Sequence, residues 1–189
     1  MEADIAKKEQ TQKRHYFYLN ELQSMARELP GKHQQRLSYD LLSHLANALL
    51  DGTVFAIVSS LKEVQQLEER NLFNRRVKML NEHAAKKQEL MKKQSEAIQS
   101  CRSKPHSLPL VQAEYEAQWS ELESNYSDEL KRQDMRIILE LDQKMLDQQS
   151  TLEKAGVPGF CVTNNPLEVR IQMYLLDFIN RISEMQVPD

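Results

Sequence analysis

The sequence predicts an all-α protein, built as a long antiparallel coiled-coil hairpin with a small helical bundle at its base. The composition is 28% charged and 6% aromatic, which is typical of coiled coils. The four glycines and six prolines fall in a few clusters separated by long stretches. Long helices require such stretches because an interior proline costs about 3 kcal/mol and an interior glycine about 1 kcal/mol. Within the stretches, apolar residues recur at alternating spacings of four and three.

The first two predicted helices end at glycine-containing turns. The first ends at Pro30-Gly31 and has one apolar face, formed by Leu19, Leu22, Ala26 and Leu29. The second starts after Ser38, whose hydroxyl can cap the free amides of the first turn. It carries Leu41, Leu42, Leu45, Ala46, Ala48 and Leu49, and ends at Asp51-Gly52. We predict a tight corner there, with Thr53 as the N-cap of the third helix.

The third and fourth predicted helices are long, mostly polar rods. The third carries Phe73, Val77, Leu80, Ala84 and Met91 at 4-3-4-3 spacing, interrupted by Lys87, which predicts a coiled-coil seam. The fourth covers residues 110 to 155 and has two apolar runs in different registers. They comprise Tyr115, Trp119, Leu122 and Tyr126, then Ile138, Leu141, Met145 and Leu152. The change of register near Leu130 indicates a stutter.

The link between the two rods predicts a hairpin. Each rod would be about 70 Å long at about 1.5 Å per residue. The link at residues 104 to 109 is short enough to require a reversal or a bend. A reversal at residues 106 and 107 aligns Ile98 with Tyr115, Met91 with Leu122, Val77 with Ile137, and Phe73 with Leu141. We therefore predict a stalk at residues 67–135, and a base bundle that combines residues 1–66 with residues 136–189.

The fifth predicted helix starts at Asn165-Pro166, an N-cap followed by proline at the first helical position. Ile171, Leu175, Phe178, Ile182 and Met185 follow at 4-3-4-3 spacing. Other faces are also apolar, so this helix is expected to be buried on two sides, either in the base bundle or against another chain. The preceding link, AGVPGFCVTNNP, fixes the angle of the helix or, alternatively, binds a partner.

A two-helix stalk buries little apolar area, so a protein partner or a homodimer along it is expected. The candidate surface for a partner or for self-association comprises Ile171, Leu175, Phe178, Ile182, Met185, Tyr115, Trp119 and Phe160. Tyrosine and tryptophan dominate many binding interfaces, although packing within the seam explains the same spacing.

No residue pattern predicts catalytic or ligand-binding chemistry. Cys101 and Cys161 have no CxxC partner, and the histidines include no i,i+4 pair for a metal. All four glycines serve as helix punctuation, which leaves none for a phosphate-binding loop. We therefore expect no enzymatic activity, no cofactor, no metal site and no small-molecule substrate.

The charge pattern and the apolar stretches predict the class of partner and the compartment. A net charge of −3, with basic pairs interleaved with Glu and Gln, disfavours nucleic acid as a partner. The sequence shows no signal-peptide core and no stretch of about 18 apolar residues, so no membrane insertion is expected. We expect an intracellular protein, in the cytosol or the nucleus.

Two segments carry a resemblance to a known family. They are ELPGKHQQRLSYDLLSHLANALLDGTVFAIV, residues 28 to 58, and LELDQKMLDQQSTLEKAGVPGFCVTNNP, residues 139 to 166. Both resemble the DiGeorge syndrome critical region protein family, and nearly the whole chain looks like the insect member of that family. The resemblance implies no catalytic residues or cofactor, and it associates the chain with development, germline expression and a nuclear or nucleocytoplasmic location.

These observations favour one function and leave two alternatives. The leading hypothesis is a non-enzymatic coiled-coil adaptor, or subunit of a multi-protein assembly, that binds protein partners through helix–helix contacts. One alternative is a nuclear chromatin or nucleic-acid accessory factor, and the other is a cytoskeleton- or motor-associated coiled coil.

Overall fold

The computed structural model describes residues 2–187, without the side chains of Glu2 and Ala3. This part of the chain contains helices and no strands, which confirms the predicted all-α class. The helices are α1 (Glu2–Arg27), α2 (Gly31–Gln34), α3 (Tyr39–Ala48), α4 (Thr53–Ser100), α5 (Leu108–Lys154) and α6 (Pro166–Ser183). Two 3-10 turns, Cys101–Ser103 and Pro105–Ser107, connect α4 to α5.

Local capping signals set most helix boundaries. The Ser38 side chain accepts a hydrogen bond from the Leu41 amide at 3.2 Å, as predicted. Thr53, the predicted N-cap of α4, is instead the first residue of that helix. Its amide donates to Asp51 Oδ1 at 2.9 Å, because Gly52 at φ +80° turns the chain back toward that carboxylate.

The chain divides into two compact units. The first, which we call the bundle unit, contains the described residues up to Gln66 and those from Gln143 onward. The second, the stalk unit, is Leu67–Asp142 and comprises the remaining parts of α4 and α5 with their connection. Both long helices therefore contribute to both units.

The bundle unit has one hydrophobic core, to which each of its longer helices contributes. α1 packs against α3 and α6, and α3 meets α4 at 90°, the predicted corner. The largest fully buried side chains are Tyr18, Leu22, Leu45, Leu49, Leu152, Leu175, Phe178, Ile179 and Ile182. Among the described residues no single helix is long and apolar enough to cross a membrane, and only α3 with α4, as a bent pair, passes by length and composition.

The stalk unit is held by polar contacts more than by apolar burial. Arg76 Nε donates to Asp134 Oδ1 at 2.9 Å, and Arg75 pairs with Glu140. In the described parts of α4 and α5 that belong to this unit, the only buried apolar side chain is Leu72. Met79, Leu90, Leu122 and Ile137 are half-buried. Exposed ion pairs contribute about 1 kcal/mol or less each, so this unit has little stabilisation of its own.

Candidate interaction surfaces

The turn between α5 and α6 is a well-defined structure. Gly156, at φ +73°, ends α5, and the Val157 amide then donates to the Leu152 carbonyl at 3.1 Å. This is the hydrogen bond of a Schellman cap, and it is accompanied by burial of both Leu152 and Val157. Phe160 is buried in the same core. The predicted partner residue Phe160 therefore anchors the turn to the bundle unit.

Two buried glutamines hold the rest of this turn. Gln149 Oε1 accepts the Thr163 amide at 3.0 Å, and Gln172 Nε2 donates to the Cys161 carbonyl at 2.9 Å. Asn165 then caps α6 by accepting from the amides of Leu167 and Glu168, as predicted. Buried side-chain amides are costly unless they are hydrogen-bonded, so these contacts determine the path of residues 161–165.

A groove of 310 Å³ opens beside this turn, and we call it the loop groove. It is lined by Arg36, Leu41, Gly159, Phe160, Cys161, Leu167, Glu168, Ile171 and Gln172. Its walls are mainly apolar, and Gln172 Oε1 is buried there without a hydrogen-bond partner. Cys161 is a free, exposed cysteine at its edge. The groove has the shape and chemistry to accept an apolar side chain with a nearby hydrogen-bond donor.

His33 lies under α6 in the bundle unit. Its ring is buried and makes an edge-to-face contact with Tyr174, with ring centroids 5.3 Å apart. Burial lowers the pKa of His33 below its ordinary value of 6.5, and the positive charges of Lys32 and Arg170 lower the pKa further. The neutral form is therefore favoured in the folded protein.

The His33 shift makes stability depend on pH. Because the folded-state pKa is lowered, unfolding takes up a proton once the pH falls below 6.5, the pKa of the unfolded chain. The stabilising contribution is complete above that pH and is lost as the pH falls toward the folded-state pKa. We expect a smaller decrease in the free energy of unfolding between pH 7.5 and pH 5.5 for His33→Gln than for the wild type, measured by urea denaturation. The exposed His44 offers the matched control His44→Gln, and equal pH dependence in both variants would contradict the assignment.

The structure buries most of the predicted α6 surface inside the bundle unit. Ile171, Leu175, Phe178 and Ile182 all belong to the core, and Met185 packs against it half-buried. A partner that used these four core residues would have to displace the chain's own packing. On the opposite face of α6, Met173 is 63% exposed.

The predicted aromatic residues Tyr115 and Trp119 lie half-buried in the stalk unit. Trp119 Nε1 donates to Gln94 Oε1 at 2.8 Å. Tyr126 stacks on His83, with ring centroids 3.5 Å apart and planes within 8°. Trp119 and Tyr126 join α4 to α5, so packing within the chain accounts for their spacing.

An ion pair lies next to the stacked rings. Lys87 pairs with Glu123, which lowers the pKa of that carboxyl, and His83 Nε2 is 3.8 Å from the same group. The sequence did not predict that His83 lies in the contact between α4 and α5. Apolar spacing gives no signal at a histidine, which occurs both in helix contacts and on solvated faces.

The predicted seam on α4 faces outward except at Val77, which is half-buried. Phe73 is 65% exposed and Met91 is 60% exposed, while Leu80 and Ala84 are also exposed. The row that contacts α5 lies one residue earlier and includes Leu72, Met79, His83 and Leu90. Adjacent residues of a helix point about 100° apart, so this one-residue difference moves the predicted seam to the surface.

We call the outward row the α4 stripe. It consists of Phe73, Val77, Leu80, Ala84, Lys87, Met91, Gln94 and Ile98, which continue the 4-3 spacing throughout. Val77, Lys87 and Gln94 are half-buried, and the last two reach Glu123 and Trp119 of α5. A second group of exposed apolar residues lies on α5, formed by Met135, Ile138, Leu139 and Leu141. The second apolar run predicted for α5 is thus exposed at Ile138 and Leu141. Uncovered apolar rows of this size on a helix are typical of interaction surfaces.

The described residues contain no group of three or more His, Cys, Asp or Glu side chains arranged to hold a metal ion. Within the same residues, Cys101 is buried at the connection between α4 and α5, and it is a free cysteine.

Comparison with known proteins confirms the predicted resemblance. Residues 1–188 match the family described as DiGeorge syndrome critical region 6 (DGCR6) protein. Protein DGCR6 of Gallus gallus is 49% identical over 185 residues, which cover 98% of this chain and 92% of that protein. Gonadal protein gdl of Drosophila melanogaster is 41% identical over 175 residues, which cover 93% of this chain and 82% of that protein. No solved structure matches the chain. The chain belongs to the DGCR6 protein family.

Proposed function

We propose that this protein is a non-enzymatic coiled-coil adaptor, or subunit of a multi-protein assembly, with a role in development or in the germline. The observation that carries the proposal is the α4 stripe, a heptad row on a long helix whose large apolar residues Phe73, Leu80, Met91 and Ile98 are exposed. Such a row fits the apolar face of another helix, which is the usual mode of recognition between coiled coils. The name of the Drosophila relative, a gonadal protein, supports the biological context.

In this proposal the stalk unit is an antiparallel coiled-coil hairpin. The order of its contacts supports this arrangement. Arg75 pairs with Glu140, Lys87 with Glu123, and Gln94 with Trp119. Residues further along α4 therefore contact residues earlier in α5, as in two helices that run in opposite directions.

The hairpin leaves the large apolar residues of the stripe open for binding, because its own contacts use a neighbouring row of α4 together with Lys87 and Gln94. The interior contacts are largely polar, as in the Arg76–Asp134 and Trp119–Gln94 pairs. Covering Phe73 and Met91 with a partner helix would remove apolar surface from water at about 25 cal/mol per Å². Binding would thus supply stabilisation that the stalk unit lacks by itself.

The experiment compares affinity purification of the tagged full chain with two double variants. Phe73→Glu/Met91→Glu places charges on the stripe. The control, Leu110→Glu/Met173→Glu, places the same charges outside the stripe, at residues that are 74% and 63% exposed. We expect at least one different protein, other than copies of this chain, to be recovered with the wild type and with the control. Its recovery should fall at least about fivefold with the stripe variant, since a buried unpaired charge is costly.

Circular dichroism checks that the stripe variant keeps the helix content of the wild type, so that a loss of recovery reflects lost binding and not unfolding. Recovery of the same proteins in the same amounts with all three chains would overturn the proposed use of the stripe. A measured catalytic turnover of the purified chain would overturn the non-enzymatic assignment.

A further inference from the structure

We infer that the α4 stripe binds a second copy of this chain, with the two α4 helices packed antiparallel. The inference rests on the proposed function: the second copy occupies the stripe, and the different protein of the assembly binds the paired chains, so the stripe variant removes both. The 4-3 spacing continues from Phe73 to Ile98, about four heptads, which is the extent that supports a stable helix pair. Phe73, Leu80, Met91 and Ile98 are its large exposed apolar residues.

The surface beside the stripe is neutral, which favours self-association. Asn74, Asn81, Gln88 and Ser95 form the adjacent row, and all four are exposed and uncharged. The charged side chains of this part of α4 lie on other faces, except Lys87 within the stripe and Arg76 on its α5 side, which pairs with Asp134. Exposed helix faces are normally the most charged, so a neutral face indicates one that is covered. Two copies can approach along it without repulsion between like charges.

The position of Lys87 decides the relative direction of the two helices. In a parallel pair, Lys87 would lie opposite Lys87 of the second copy, and two like charges would meet. In the antiparallel register that uses the whole stripe, Lys87 lies opposite Ala84 of the second copy. The antiparallel pair therefore avoids the repulsion.

The same register pairs the large apolar residues with one another. Phe73 lies opposite Ile98 of the second copy, and Leu80 lies opposite Met91 of the second copy. The two-fold axis passes between Ala84 and Lys87, so each of these contacts occurs twice, as in a closed symmetric dimer. The stripe is thus complementary to itself in this orientation.

The first measurement is light scattering coupled to size-exclusion chromatography on the full chain. We expect a mass of about 44 kDa, twice the 22.1 kDa of one copy, at micromolar concentrations. Phe73→Glu/Met91→Glu should give about 22 kDa with helix content retained. A wild-type mass of one copy at all concentrations would overturn self-association. It would not decide the proposed adaptor function, which the affinity purification tests separately through the recovery of a different protein.

The second measurement tests direction, with Ala84→Glu and Ala84→Lys. In the antiparallel pair the carboxylate introduced by Ala84→Glu meets Lys87 of the second copy, and this contact occurs twice. Ala84→Glu should therefore lower the dissociation constant roughly threefold to tenfold, and Ala84→Lys should raise it by a similar factor. In a parallel pair each new charge would meet its own equivalent in the second copy, and both substitutions would weaken the dimer.

Ala85 is the matched control, because it is exposed, lies one residue away and faces outside the stripe. Ala85→Glu and Ala85→Lys should leave the dissociation constant within about twofold of the wild type. Weakening by both Ala84 variants would overturn the antiparallel arrangement. A dimer that is insensitive to every Ala84 and Phe73/Met91 change would overturn the use of the stripe.

Discussion

Phe178→Ala should lower the free energy of unfolding by about 3 to 5 kcal/mol, the usual cost of removing a buried phenylalanine side chain. Phe178 is 2% exposed and lies in the core of the bundle unit. The lost apolar contacts and the cavity both contribute, because a close-packed core relaxes only partly. Urea or guanidinium denaturation of the purified chain measures the difference.

Met173→Ala is the control on the same helix. Met173 is on the exposed face of α6, so its removal should change the free energy of unfolding by no more than about 0.5 kcal/mol. The comparison separates the two interpretations that the sequence leaves open for α6. If both variants lost equally little stability, α6 would not be part of the core, and its apolar row would be available to another chain.

Gly159→Ala should destabilise the bundle unit by about 2 to 5 kcal/mol, for two separate reasons. Gly159 has a φ of +88°, where an L-residue costs about 1 to 2 kcal/mol. A Cβ at this position would lie 2.6 Å from Leu175 Cδ1 and 3.4 Å from Leu41 Cδ1. Leu175 is fully buried and cannot move aside freely, so overpacking adds about 1 to 3 kcal/mol.

Gly156→Ala isolates the first of these reasons. Gly156 has a φ of +73°, and a Cβ there would meet no atom within 4 Å. It should therefore cost only about 1 to 2 kcal/mol, the conformational part alone. Both variants are measured by chemical denaturation under the same conditions. Equal losses would show that the close approach of Gly159 to Leu175 has no energetic consequence.

Most helix boundaries follow from the sequence because the signals that set them are local. Ser38 and Asn165 cap the helices predicted to follow them, and Gly156 ends α5 within the predicted turn. Thr53 is the exception. It has the right residue type for a cap, but Asp51 lies two residues earlier and its carboxylate accepts the Thr53 amide. Competition between neighbouring capping residues depends on backbone geometry that composition alone does not give.

The candidate surfaces are less predictable. The sequence identifies the α4 stripe as a heptad row but places it in the contact with α5. The polar residues of the true contact surface, Arg76 and His83, conceal it from any count of apolar spacing. Their contacts with Asp134 and Tyr126 join positions far apart in the chain. The hydrogen bonds of the loop groove, such as Gln172 to Cys161, have no sequence signature either.

The sequence by itself determined that the chain is helical, where most helices begin and end, and which family it belongs to. These properties depend on residues close together in the chain, or on the identity of the whole sequence. Only the tertiary structure decided which of two adjacent rows on α4 contacts α5 and that the apolar row of α6 is in the core. Neighbouring rows on a helix differ by about 100°, and the choice between them depends on the side chains of the helix that packs against them.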